Sequence, residues 1–168
     1  AGSHVWLLAQ TRDAMTIDAN LLEQARSADS DARHRVAAAV ARSEDGDHLA
    51  LAFELLGDRD WRVRKAIVEG FLQHVTDDIV RGLILALHDD ANAGKRNSAT
   101  EALIRVGQRS LEIILREFHQ ERDPDVRLSL VNLLGDLRSD EGLSLLLNVL
   151  EGDNDINVLS SAVASVGK

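Results

Sequence analysis

Cysteine and tyrosine are absent from the 168 residues, proline occurs once, and the aromatics amount to three Phe and two Trp. The missing cysteine excludes disulfides, Cys-ligated zinc, iron–sulfur clusters and thiol nucleophiles together. It also fits a reducing compartment, so a cytoplasmic location is expected. One proline and 11 glycines are too few turn signals for an all-β sandwich or barrel. The scarcity of aromatics makes a stacking platform for single-stranded nucleic acid hard to assemble. No run approaches the roughly 18 apolar residues of a membrane-spanning helix. No basic stretch leads into an apolar one at the N-terminus, so no secretory signal is read. Positive charge is in deficit: 19 Lys and Arg face 28 Asp and Glu, a net charge of −9. Nonspecific duplex binding rests on phosphate neutralisation, and this balance disfavours it.

What is present is an ordinary globular mixture, 45% hydrophobic and 28% charged, in a length that suits one domain with a sizeable core. Residues 1–4, with Gly2-Ser3-His4, read as an expression-tag remnant and are set aside.

Self-comparison reveals a repeat. Asp60-Trp61-Arg62-Val63-Arg64 is echoed by Asp123-Pro124-Asp125-Val126-Arg127, with Asp, Val and Arg at the same offsets. Asp29-Ser30-Asp31-Ala32-Arg33 keeps Asp and Arg, while Asp155-Ile156-Asn157-Val158-Leu159 keeps Asp and Val. In Asn92-Ala93-Gly94-Lys95-Arg96 only the Arg remains, with Asn in place of Asp. The anchors at 33, 64, 96, 127 and 159 are spaced by 31, 32, 31 and 32 residues. About five units of that length nearly exhaust the chain, as in a solenoid.

Each unit reads as two helices. After the anchor, apolar or small residues recur at plus three, six and seven: Val36, Ala39, Val40; Ile67, Gly70, Phe71; Ala99, Ala102, Leu103; Leu130, Leu133, Leu134; Ala162, Ser165, Val166. That spacing is one face of an α-helix. A second helix follows, carrying for example Ile79, Leu83, Ile84 and Leu87 in one unit and Leu143, Leu146, Leu147 and Leu150 in the last. Asp60, Asp123 and Asp155 are positioned to cap the first-type helices, and Pro124 is a favoured first-turn proline. For the second-type helices the expected caps are Asp47, Asp77 or Asp78, Ser110, and Ser139 or Asp140. Gly57, Gly107 and Gly152 are expected as left-handed helix terminators. The predicted fold is all-α, an α-α superhelix of about five helical hairpins.

The D-x-x-V-R pattern followed by small or apolar residues resembles HEAT repeats, in the short bacterial form that includes phycobilin-lyase-like repeat proteins. The resemblance covers residues 29–168, with residues 5–28 as N-terminal capping helices or a degenerate repeat. These units are shorter than the usual HEAT length of about 40–47 residues. The resemblance implies an inter-repeat ladder of Arg33, Arg64, Arg96 and Arg127 with Asp29, Asp60, Asp123 and Asp155. It holds one repeat against the next rather than contacting a ligand. The last first-type helix ends at Gly167-Lys168 without its partner, so the array is expected to be truncated at its C-terminal end. An uncapped repeat leaves an apolar face, and end-to-end self-association through it is expected.

A search for chemistry finds little. No His-Glu dipeptide occurs, which removes the ligand pairs of the HEAT-like deoxyhypusine hydroxylases, and no metal site or cofactor is read. His88-Asp89 reads as a loop histidine before a helix cap. There is no nucleophile elbow, phosphate loop or dinucleotide fingerprint, so no catalytic residue is assigned. Two charged features remain. Arg59, Arg62, Arg64, Lys65, Lys95, Arg96, Arg122 and Arg127 form a ridge near the starts of the first-type helices. The second-type helices are expected to line the concave side and to bind through Asp78, Arg81, Glu112, Arg116, Glu141, Ser144 and Asn148. A mixed-charge groove suits a protein or peptide, so the function read is a non-catalytic protein–protein scaffold. The alternatives are a phycobilin-lyase-type component handling a tetrapyrrole and, behind it, nucleic-acid binding through the arginine ridge.

Overall fold

The computed structural model describes residues 18–168. They form α1 (Ala19–Ala25), α2 (Ser30–Val40), α3 (Gly46–Leu55), α4 (Trp61–Gln73), α5 (Asp77–Ala86), α6 (Ala93–Val106), α7 (Leu111–Gln120), α8 (Pro124–Leu137), α9 (Asp140–Gly152) and α10 (Ile156–Val166). A 3-10 turn, Gly107–Ser110, leads into α7. Among the described residues there is no strand, and the fold is an all-α stack of helical hairpins. Residues 1–4 and most of the leading segment, including Val5 and Trp6, lie outside the described residues. From that segment α1 is described, and its Leu21 and Leu22 pack half-buried against the core.

The repeat period is the period of the N-caps. Asp29, Asp60, Asn92, Asp123 and Asp155 cap α2, α4, α6, α8 and α10, each side chain accepting from first-turn backbone N–H groups. Those N–H groups have no intrahelical partner, which is why an oxygen-bearing side chain recurs there. Asn92 does the same work as the aspartates, so the divergent third unit starts its helix normally. The second-type caps differ from expectation. Asp45, not Asp47, caps α3 by accepting from the Asp47 and His48 N–H groups. Thr76, not Asp77 or Asp78, caps α5, and the two aspartates occupy its first turn. Ser139 caps α9 as expected. Ser110 makes no side-chain cap and donates its hydroxyl to the Gly107 carbonyl, because the 3-10 turn already organises the entry to α7.

Chain reversals also need a correction. Of the three expected terminator glycines only Gly107 has a positive φ, 66°, and its ψ of −140° lies outside the left-handed helical region. Arg138, at φ 50° and ψ 53°, is the residue that turns left-handed after α8.

Burial follows the helical spacing. Ile67, Phe71, Leu83, Leu103, Ile114, Leu130, Leu134 and Leu146 are among the side chains removed from water in a continuous core running from Ala25 to Ala162. Each such side chain contributes about 1.5–3 kcal/mol against about 1 kcal/mol for a cap, so the apolar faces hold the stack. Ala39 is exposed, and Ala37 and Ala41 are buried instead.

The two layers are unequal. Successive first-type helices (α2, α4, α6, α8, α10) pack more closely than successive second-type helices (α3, α5, α7, α9). Small residues permit this. A Cβ on Gly70 of α4 would stand 2.3 Å from Ala41 Cβ, so α4 crosses the end of α2 at backbone distance. In the second layer Phe53 fills the space over Gly82 and tilts against Phe71, with ring centroids 4.9 Å apart. At the last hairpin, Leu143, Leu147, Ile156 and Val163 are exposed, with nothing among the described residues packed over them.

Candidate functional site

The anchor arginines close the loops that precede their own helices. Arg33 Nη1 donates to the Ser27 and Ala28 carbonyls, Arg64 to Asp58 and Arg59, Arg96 to Asp89, and Arg127 to Glu121. A guanidinium has five donors in a rigid fork and satisfies loop carbonyls that no helix reaches.

The carboxylates they were expected to meet are not the ones they meet. Asp29, Asp60, Asp123 and Asp155 cap helix starts, and no anchor arginine pairs with them. Arg33 instead forms a two-pronged pair with Asp58, Nε to Oδ2 at 2.7 Å and Nη2 to Oδ1 at 3.0 Å. Arg127 pairs with Asp153 through Nη2 alone, its guanidinium 4.5 Å above the Phe118 ring. Arg64 and Arg96 reach loop carbonyls, and no carboxylate pairs with them among the described residues. The partner position lies two residues before the cap. Asp58, Glu121 and Asp153 there accept the cap residue's own N–H, as does Ser27 through its hydroxyl. Its signal was in the sequence at the same 31–32-residue period.

These contacts set the local charge states. Burial pushes the Asp58 carboxyl up, but Arg33 and the Asp60 N–H outweigh it and hold it below the usual carboxylate range. Burial likewise raises Asp153, and the Asp155 N–H with Arg127 brings it below that range. Arg62 holds Asp60 at about 2.

Repeats are bridged by further pairs. Arg62 reaches Asp31 at 3.2 Å, and Arg105 of α6 grips Glu69 of α4 with contacts of 2.7 and 3.0 Å. Arg105 favours the Glu69 carboxylate and lowers its titration. Lys168 meets Asp136 at 2.6 Å, and Asn92 donates to the Gly57 carbonyl at 2.7 Å. His88 is more than a loop histidine: its Nε2 lies 3.0 Å from Glu121 at the next repeat.

The seven residues expected on a concave surface lie on α5, α7 and α9. Asp78, Glu112, Arg116, Glu141, Ser144 and Asn148 are exposed, and Arg81 is half-buried. Their bonds stay within single helices: Arg81 with Asp77 and Asp78, Arg116 with Glu112, and Ser144 with the Asp140 carbonyl. They belong to the more sparsely packed layer, and no hydrogen bond or ion pair joins those of one helix to those of another.

At the other layer's edge, an open pocket of about 710 Å³ is lined by Arg33, Arg59, Arg62, Arg64 and Trp61 together with Asp60, Ser30 and Ala28. One end of the ridge therefore surrounds a cavity. Among the described residues no group of three His, Asp or Glu side chains is arranged to hold a metal ion. Nor is any helix there long and apolar enough to cross a membrane.

The HEAT-repeat family matches this chain over residues 19–103 and again over residues 80–167. No curated protein matches it.

Proposed function

As this chain belongs to the HEAT-repeat family, whose repeats generally mediate protein–protein interaction, we propose that it is a non-catalytic scaffold that holds a protein partner along its first-type layer. The observation that carries this is the unequal packing of the layers. A stack bends toward the layer whose members sit closer, and this supports reading the first-type face as the concave one. Repeated helices supply an extended surface there without an enclosed pocket. Lys65, Asn97, Glu101 and Asp136 stand exposed along that face in successive repeats. Interspersed charge of both signs suits a protein surface and resists a polyanion. Asp78, Arg81, Glu112, Arg116, Glu141, Ser144 and Asn148 fall on the convex side in this reading.

A photoreactive amino acid at Asn97, compared with one at Asn148, tests it. Capture of the same protein from Asn97 and not from Asn148 supports the concave face. Capture from Asn148 alone returns the site to the second-type layer, and capture from neither removes the scaffold reading.

A second reading concerns copies of the chain. Ile156 and Val163 of α10 are 70% and 63% exposed, an apolar end that favours end-to-end pairing. Nothing comparable favours a tetrapyrrole, whose flat apolar ring system needs a cavity unlike the open, charged one beside Trp61.

A further inference from the structure

From the side chains around Trp61 we infer that the edge formed by the loops before α2 and α4 is a docking site for an acidic protein segment, with Trp61 as its apolar anchor. This rests on the scaffold reading and names the chemistry of one partner segment.

Trp61 opens α4 and is 61% exposed, the largest hydrophobic side chain left in water among the described residues. The position does not need it: Ser30, Ala93, Pro124 and Ile156 begin the equivalent helices. An exposed Trp beside arginines is the composition of binding hot spots.

Three cations around it lack a carboxylate within ion-pair distance among the described residues. Arg59 donates only to the Ala28 carbonyl, at 3.3 Å. Arg64 donates to two loop carbonyls through Nη1, and its Nε is buried without a partner. Lys65 lies over the Trp61 ring, 5.9 Å from its centroid. Arg33 and Arg62, by contrast, are committed to Asp58 and to Asp31 and Asp60. Cations without a carboxylate partner thus collect beside an open pocket of about 710 Å³, on a chain whose net charge is −9.

The remaining charges select the occupant. Asp29, Asp31, Asp58 and Asp60 stand among Arg33, Arg59, Arg62, Arg64 and Lys65, so the cluster carries a net charge near +1. A run of phosphates would meet the exposed Asp31 as well as the cations, and its affinity depends on many uncontested basic contacts. A peptide can space one or two carboxylates to reach Arg59 and Lys65 and lay an apolar side chain on the indole. Charge complementarity then fixes its register.

Selection from a random peptide library on the intact protein tests this, with Trp61→Ala and Arg59→Glu/Lys65→Glu variants in parallel. None of these residues is a cap or part of the core, and circular dichroism with thermal unfolding checks each fold. The expected result is enrichment of peptides that combine Asp or Glu with a large apolar residue, with binding about tenfold weaker in both variants. Acidic peptides whose binding survives both variants overturn this site and leave the scaffold reading standing. If the native protein enriches nothing over a blank surface, the acidic-segment site falls, and capture from Asn97 decides the scaffold reading separately. A labelled single-stranded oligonucleotide that binds steeply with falling salt and displaces the peptides overturns the acidic-segment assignment in favour of nucleic acid.

Discussion

Arg33 and Asp58, 25 residues apart in the chain, join the first repeat to the second through two parallel hydrogen bonds while both side chains stay over 90% hidden from water. Removing either partner strands a charge that is expensive to bury. Arg33→Ala is expected to destabilise the fold by about 3 kcal/mol. Urea unfolding measures it, and a loss below about 1 kcal/mol would show that the repeats hold without the pair.

Acid sensitivity follows from the same contacts. Asp58, Asp60, Glu69 and Asp153 all titrate below the usual carboxylate range in the folded chain. A depressed folded-state value means stability that is present above about pH 4 and lost as pH falls through the lowered values. Melting temperature is expected to fall steeply between about pH 4 and pH 2, and Asp58→Asn with Asp153→Asn to flatten that fall. An unchanged profile in the double variant would place the acid sensitivity elsewhere.

Gly70→Ala sets two effects against each other. Alanine is the better helix former by about 1 kcal/mol. Yet its methyl group would lie 2.3 Å from Ala41 Cβ and 3.0 Å from the Ala41 carbonyl oxygen, in a core that cannot part cheaply. Overpacking costs about 1–3 kcal/mol, so net destabilisation is expected in thermal unfolding. A stabilised variant would mean that α2 and α4 slide freely.

The caps give a sharper contrast. Asp45→Ala is expected to cost about 1 kcal/mol and Asp47→Ala a few tenths, since only Asp45 accepts first-turn N–H groups of α3. Equal losses in denaturant melts would contradict that difference in roles.

Those two aspartates also show what the sequence made legible and what it did not. The hairpin period was readable because burial and first-type capping both recur with it. Leu83 and Leu103 stand where helical spacing puts them, and Asn92 caps like Asp60. Choosing Asp45 over Asp47, or Thr76 over Asp77, depends on where the chain turns into the helix, and oxygen-bearing residues adjoin both turns. Asp58 and Asp153 carried a periodic signal, but the partner of an arginine 25 or 26 residues away is set by stacking, which spacing alone does not reveal. The choice of concave layer needs the relative closeness of two rows of helices. That closeness is settled by contacts such as Gly70 on Ala41.

The apolar end of α10 carries its own expectation. Apparent mass in sedimentation should rise with concentration, and Ile156→Asp with Val163→Asp should abolish the rise. A monomer at all concentrations would remove the end-to-end reading.

The most direct measurement is hydrogen exchange of the protein with and without a captured partner. Slowed exchange concentrated in α4, α6 and α8 and the loops that begin them is expected if the first-type layer is the recognition face. Protection confined to α5, α7 and α9, around Arg81, Arg116 and Asn148, would contradict it.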